Sequence, residues 1–313
     1  MCLPVMKFEV TILGSSSATP IFNRNPTAQV LNINERLYLV DCGEATQLQM
    51  LRFEVKSSKI DHIFISHLHG DHYLGLVGLL SSMHLNGRVK PLKLFGPAPL
   101  KEIIDVQFKY SETTLNYVLD FIPTNSLAPE VILDNQDVIV ETIPLDHRIP
   151  TTGFLFKQKK RLRKIIKSKA EALGIPVEHY PLLKKGAPFM AADGRVYKNE
   201  ELTVDPDRPK CYAFCSDTIY NERYFDQIRN VDLLYHESTF LHNMLDRANK
   251  TFHTTAWQAG QVALQTNAKA LLIGHFSARY KSLTELLEEA SSVFPKTELA
   301  IEGNVYPVGD DMA

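Results

Sequence analysis

The stretch Ser66-His67-Leu68-His69-Gly70-Asp71-His72 places three imidazoles and a carboxylate within six positions. Burying such groups without a cation would be costly, so their density points to a metal. The two-residue spacing of His67 and His69 sends both side chains to one side of an extended backbone, and Asp71 and His72 follow as the chain turns. Two pairs of side chains can then face two neighbouring ions. Imidazole and carboxylate without thiolate suit zinc, with manganese or iron as alternatives. Two ions call for roughly six or seven ligands; the cluster has four, and His147, Asp217 and His275 are candidates for the rest. Taken singly, each of those three reads equally well as a capping or core polar residue. An ion pair of this kind lowers the pKa of a bridging water and steadies charge on a phosphate, so hydrolysis is the expected reaction.

The elements that must position these residues are short and apolar. Residues 59–65 read as a buried strand and 73–80 as a helix carrying Gly75 and Gly78, which puts the cluster at a strand-to-helix junction. Upstream, 8–13 is a strand, 14–26 a turn-rich loop, and 29–33 with 36–40 a hairpin around Asn34-Glu35. Residues 44–53 have helical spacing, with Leu48, Met50 and Leu51 available for a buried side. Further strands are expected at 91–97, 117–122, 138–145, 210–215, 231–235 and 270–274 and near the C-terminus, with helices at 100–110, 254–265 and 283–293. Asp41, His67, His147, Asp217, His236 and His275 each follow directly on one of the strands. A layered α/β fold gathers distant residues into one cleft in this way. His62, His84, His179 and His242 stand alone and read as structural, and Cys211 and Cys215 read as buried strand cysteines rather than ligands.

Length and composition narrow the class. The 313 residues are 44% hydrophobic and no Pro/Gly/Ser-rich linker divides them, which favours one domain over residues 1–313. No stretch reads as a secretory leader or a membrane span, and the four cysteines are too scattered for a disulfide scaffold. A soluble cytoplasmic protein is expected. The net charge of −2 hides an uneven distribution, since eight of the thirteen residues 157–169 are Lys or Arg and none is acidic. Residues 157–208 therefore read as an inserted basic arm. Lysines and arginines in such number bind phosphates, and few aromatics interleave them, so recognition of folded RNA by shape and phosphate is expected over base stacking.

The cluster His67-Leu-His69-Gly-Asp71-His72 resembles the HxHxDH motif of the metallo-β-lactamase superfamily, whose fold is an αββα four-layer sandwich. Within it, Leu145-Asp-His-Arg148, Phe214-Cys-Ser-Asp217-Thr, His236-Glu-Ser-Thr-Phe240, Phe252-His-Thr-Thr255 and Gly274-His-Phe-Ser-Ala-Arg-Tyr280 are similar to the ribonuclease Z family, endonucleases that trim 3′ trailers from tRNA precursors. The resemblance implies two zinc ions per subunit, one held by His67, His69 and His147 and the other by Asp71, His72 and His275, with Asp217 bridging. It implies Asp71 as proton acceptor for the attacking water, His253 as proton donor to the leaving oxygen, Glu237 positioning His253, and Asp41 supporting the ligands. It assigns substrate contacts to Arg24, Asn25 and Arg279, and to Lys159, Lys160, Arg161, Arg163 and Lys164 in the arm. Cleavage would leave a 3′-hydroxyl on the tRNA, and a homodimer is expected, the arm of one subunit serving the other.

Three departures from the family pattern stand out: Phe22 in place of a basic residue in the Pro20 to Asn25 loop, His-Thr-Thr in place of His-Ser-Thr, and an arm whose 174–181 stretch lacks the usual Gly-Pro pair. The residues alone leave other readings open. A dinuclear hydrolase of small phosphodiesters or sulfate esters would use the same ligands and need no arm. An RNA-binding or scaffold protein with a vestigial site, and an oxygen-reducing di-iron enzyme, explain fewer of the residues.

Overall fold

The computed structural model describes residues 7–21 and 23–309, so the substitution at Phe22 lies outside the described residues. The chain divides into two units, one comprising Met1–Lys157 and Lys210–Ala313, the other Gln158–Pro209.

The larger unit is built on two seven-stranded sheets. The first runs, in spatial order, Val305–Pro307, Phe8–Gly14, Ala28–Ile33, Arg36–Val40, Ile60–Phe64, Leu92–Gly96 and Leu119–Pro123. The second runs Thr297–Leu299, Leu271–Gly274, Leu233–Glu237, Cys211–Cys215, Thr151–Gln158, Val138–Leu145 and Val131–Asp134. The hairpin closes through Asn34 and Glu35 at φ 54° and 67°, which suits its two-residue turn, and pairs Ile33 with Arg36. Beyond it the strands from Arg36–Val40 to Leu119–Pro123 run parallel, with apolar residues packed on both faces of the sheet.

Aromatic rings fill the space between the sheets. Phe64 stacks on Phe95 at 4.6 Å and meets Phe154 and Phe156 of the facing sheet at 5.3 Å each. On the outer face of the first sheet, Leu76, Leu79, Leu80, Met83, Leu100 and Ile104 bury the helices Leu76–Leu85 and Pro99–Tyr110. On the outer face of the second, Ala259, Val262, Leu286 and Ala290 bury Ala256–Gln265 and Thr284–Val293. The layers are thus αββα, as expected.

Several elements differ from the sequence reading. The helix Thr46–Arg52 buries Thr46, Gln49 and Met50, whereas Leu48 and Leu51 are 68% and 73% exposed. The expected helix 73–80 is broken into Gly70–Tyr73 and Leu76–Leu85, because Gly75 N–H turns away to donate to Cys42 O at 2.9 Å. A Cβ on Gly75 would lie 2.2 Å from Gly43 O, so only glycine permits that approach. The strand expected at 231–235 spans Leu233–Glu237, and His236 lies inside it rather than after it. The strand Val131–Asp134 and the helix Leu245–Thr251 were not anticipated.

The smaller unit has its own core of Ala170, Ile175, Leu183, Phe189 and Leu202. Its strands pair as Lys164–Ile165 with Thr203–Val204 and Phe189–Met190 with Val196–Tyr197. Arg163 pairs with Asp205 and donates to Thr203 Oγ1, and Lys164 pairs with Asp207 at 3.2 Å, so acidic residues late in the unit tie down part of the basic run. Lys160, Arg161, Lys184 and Lys185 line a 410 Å³ cavity there.

Candidate metal centre

Strand ends deliver the site. Asp41 follows Arg36–Val40, His67 lies three residues beyond Ile60–Phe64, Asp217 two beyond Cys211–Cys215, and His275 directly after Leu271–Gly274. Asp41, Asp217 and His275 all have left-handed backbone, at φ 56°, 56° and 57°. That conformation is disfavoured for residues with a β-carbon and persists where surrounding bonds over-determine it, as they commonly do at functional sites. Here it turns each side chain off its strand into one cleft.

Two clusters form. In one, His67 Nε2 and His147 Nε2 lie 3.0 and 3.2 Å from His69 Nδ1, and both lie near Asp217 Oδ2, at 3.7 and 3.8 Å. In the other, His72 Nε2 and His275 Nε2 each lie 3.4 Å from Asp71 Oδ2 and 3.2 Å from Asp217 Oδ1. The two oxygens of Asp217 are therefore divided between the clusters.

The opposite edge of four rings is held by an oxygen. Asp41 Oδ2 accepts from His72 Nδ1 at 2.7 Å, and Phe252 O accepts from His147 Nδ1 at 2.9 Å. Ser66 Oγ donates to Asp41 Oδ2 and lies 3.0 Å from His67 Nδ1, while Thr239 Oγ1 donates to Glu237 and lies 3.0 Å from His275 Nδ1. These partners put the proton on Nδ1 and leave Nε2 as a lone pair facing the cleft. Burial pushes the His67 imidazole well below its ordinary range, keeping it neutral as a ligand must be. Burial alone would raise Asp217, but His275, His72 and His67 hold its carboxyl well below the usual range.

The residues fit divalent cations. Among the described residues His72 Nε2 and His275 Nε2 are buried yet make no hydrogen bond. The nitrogens of His67 and His147, 3.0 and 3.2 Å from that of His69, match tetrahedral coordination, where ligand distances of ~2.0–2.1 Å separate nitrogens by roughly 3.3 Å.

Beside the clusters His253 Nδ1 donates to Glu237 Oε1 at 3.0 Å, and Thr218 N donates to the same oxygen at 2.7 Å. Burial opposes charge on His253, but Glu237 outweighs it and raises the imidazole to about 9. His253 lines a 280 Å³ cleft with Asp71, Asp217, His275, Arg148 and Glu44.

The structure separates the remaining sequence candidates. Arg24 is only 5% exposed and its guanidinium donates to Tyr280 O at 2.8 Å and Ser277 O at 3.3 Å. Asn25 donates through N and Nδ2 to Glu302, at 2.6 and 2.8 Å. As placed, both residues brace the loop whose Ala18 N–H donates to Asp71 Oδ2 at 2.7 Å. Arg279 is exposed, with its guanidinium over the Phe240 ring. His236 is a core residue bonded to Tyr224 Oη at 2.9 Å. Sequence reasoning missed the roles of Ser66, Thr239 and Glu302. A hydroxyl adjoining the motif was a signal for Ser66; Glu302 had none, since its partners lie more than 250 positions away.

A family model described as "Anti-Pycsar protein Apyc1" matches residues 8–164, the half that carries Asp41 and the His67 to His72 cluster. Ribonuclease Z of Cytophaga hutchinsonii is 49% identical over 306 residues, covering 97% of both chains. The fold is similar to the crystal structure of the short form of human tRNase Z, with TM-score 0.69 and 24% identity over 96% of this chain and all of that one. It is also similar to the metallo-β-lactamase fold protein YhfI from Bacillus subtilis, with TM-score 0.67 and 19% identity over 97% of this chain and all of that one. The ribonuclease Z relative, unlike the family model, extends through Asp217, Glu237, His253 and His275. The sandwich is a metallo-β-lactamase fold, and the chain belongs to the ribonuclease Z family of metal-dependent endoribonucleases.

Proposed function

We propose that this protein removes 3′ trailers from tRNA precursors, cutting the phosphodiester so that the tRNA keeps a 3′-hydroxyl. The observation that carries this reading is the His253–Glu237 pair beside a two-sided metal cluster, in a chain akin to ribonuclease Z over nearly its full length. His67, His69 and His147 would hold one zinc ion, Asp71, His72 and His275 a second, and Asp217 would bridge them. Bound there, two such cations supply a water of lowered pKa and offset negative charge on the phosphate.

The chain's own residues do the rest. Asp71 accepts the proton of the attacking water. His253, kept charged by Glu237, donates a proton to the 3′-oxygen as it leaves. Asp41, Ser66 and Thr239 fix the imidazoles so that no rotamer search precedes binding. Lys159, Lys160, Arg161, Arg163 and Lys164 of the arm, with Lys184 and Lys185, contact tRNA phosphates, and Arg279 contacts the substrate near the cut. We further propose a cytoplasmic homodimer, for which sedimentation would find two chains per particle.

Purified, metal-loaded protein should release an intact trailer from a 3′-extended tRNA precursor and cease to do so with chelator. An uncut precursor beside rapid hydrolysis of a small chromogenic diester would favour the small-substrate reading instead.

A further inference from the structure

Phe252 caps the helix Leu245–Thr251 at φ 57° and ψ 49°, a left-handed position where glycine is the favoured residue. Its carbonyl is committed to His147 and its neighbour His253 to Glu237, which explains the backbone but not the side chain. Phe252 is 39% exposed, and among the described residues its ring stacks on no other ring and faces no cation. Its backbone, bonded to His147, adjoins the cluster, and an exposed ring there suits a ligand with a flat apolar face.

We propose that Phe252 is a stacking platform for the base of the nucleotide on the 5′ side of the cut. The inference rests on the reading of the protein as a trailer-removing endonuclease. Hydrolysis that leaves a 3′-hydroxyl expels the 3′-oxygen of that nucleotide, and the His253 proton goes to that oxygen. Phe252 is one peptide unit away, with Cα atoms about 3.8 Å apart, which puts its ring within reach of the same nucleotide. Stacking tolerates every base, as processing of many different tRNAs requires.

The test pairs a 3′-extended tRNA precursor with the same precursor made abasic at that nucleotide, and reads kcat/KM for metal-loaded wild type, Phe252→Tyr, Phe252→Leu and Phe252→Gly. Loss of the base should slow the wild type and Phe252→Tyr by about 5- to 100-fold. Phe252→Leu and Phe252→Gly should cut both precursors at the same reduced rate. Glycine suits the backbone here and leucine keeps apolar bulk, so a fold effect in one is exposed by the other. An abasic penalty that persists in both variants overturns the stacking role alone. A wild type that leaves both precursors uncut overturns the reading of function and the platform with it.

Discussion

One carboxylate, Asp217, presents Oδ2 to His67 and His147 and Oδ1 to His72 and His275. Asp217→Ala should weaken metal binding at both positions by more than about 100-fold, the most that removing a supporting partner usually gives. Titration against a competing chelator measures it, and loss confined to one position would refute the bridging role. His253→Ala should keep its metal while kcat on precursor falls by about 10²–10⁴-fold, the usual worth of a positioned proton donor. Metal analysis alongside single-turnover kinetics separates the two effects. At this scale the sequence was informative wherever donors are close in the chain, as in His67 to His72. It was silent where a partner arrives from afar, as Thr239 does for His275, because a hydroxyl has no spacing that marks it.

The loop between Phe8–Gly14 and Ala28–Ile33 was read as a substrate loop, and its turn-rich composition said nothing of what holds it. Glu302 accepts from Ser15 N, Asn25 N, Asn25 Nδ2 and Gln49 Nε2, and Arg24 donates to carbonyls of residues 277 and 280. Glu302→Ala leaves those donors without their acceptor and should cost about 2–3 kcal/mol, judged by urea unfolding. A change under about 0.5 kcal/mol would mean the node is solvated rather than structural. The same node explains the misread helix. Gln49 Nε2 also donates to Leu13 O, so a polar residue takes the buried side of Thr46–Arg52 and pattern reasoning, which counts apolar positions, chose Leu48 and Leu51. The break at Gly75 escaped for a similar reason, since apolar density continues across it and only the approach of Gly43 imposes it.

Across the whole chain, the layers were legible because strands such as Cys211–Cys215 and Leu271–Gly274 are short unbroken apolar runs, and the basic segment because its charge is local. Its pairing to Asp205 and Asp207 was not, because those residues lie about 40 positions further on. Lys157 and Cys211 face each other across antiparallel strands, so a two-residue Asn-Gly turn can replace the intervening unit. That shortened protein should hydrolyse a small chromogenic diester yet lose at least about 100-fold in kcat/KM on tRNA precursor, as expected when several phosphate contacts vanish. Equal loss on both substrates would point to a folding role instead. Metal at the two clusters is proposed to do the cutting. Metal-free protein titrated with zinc against a 3′-extended tRNA precursor, with product ends mapped, tests it most directly. Cleavage should rise until two equivalents are bound and place a 3′-hydroxyl at the tRNA end; full cleavage by the metal-free protein, or an uncut precursor at two equivalents, would contradict it.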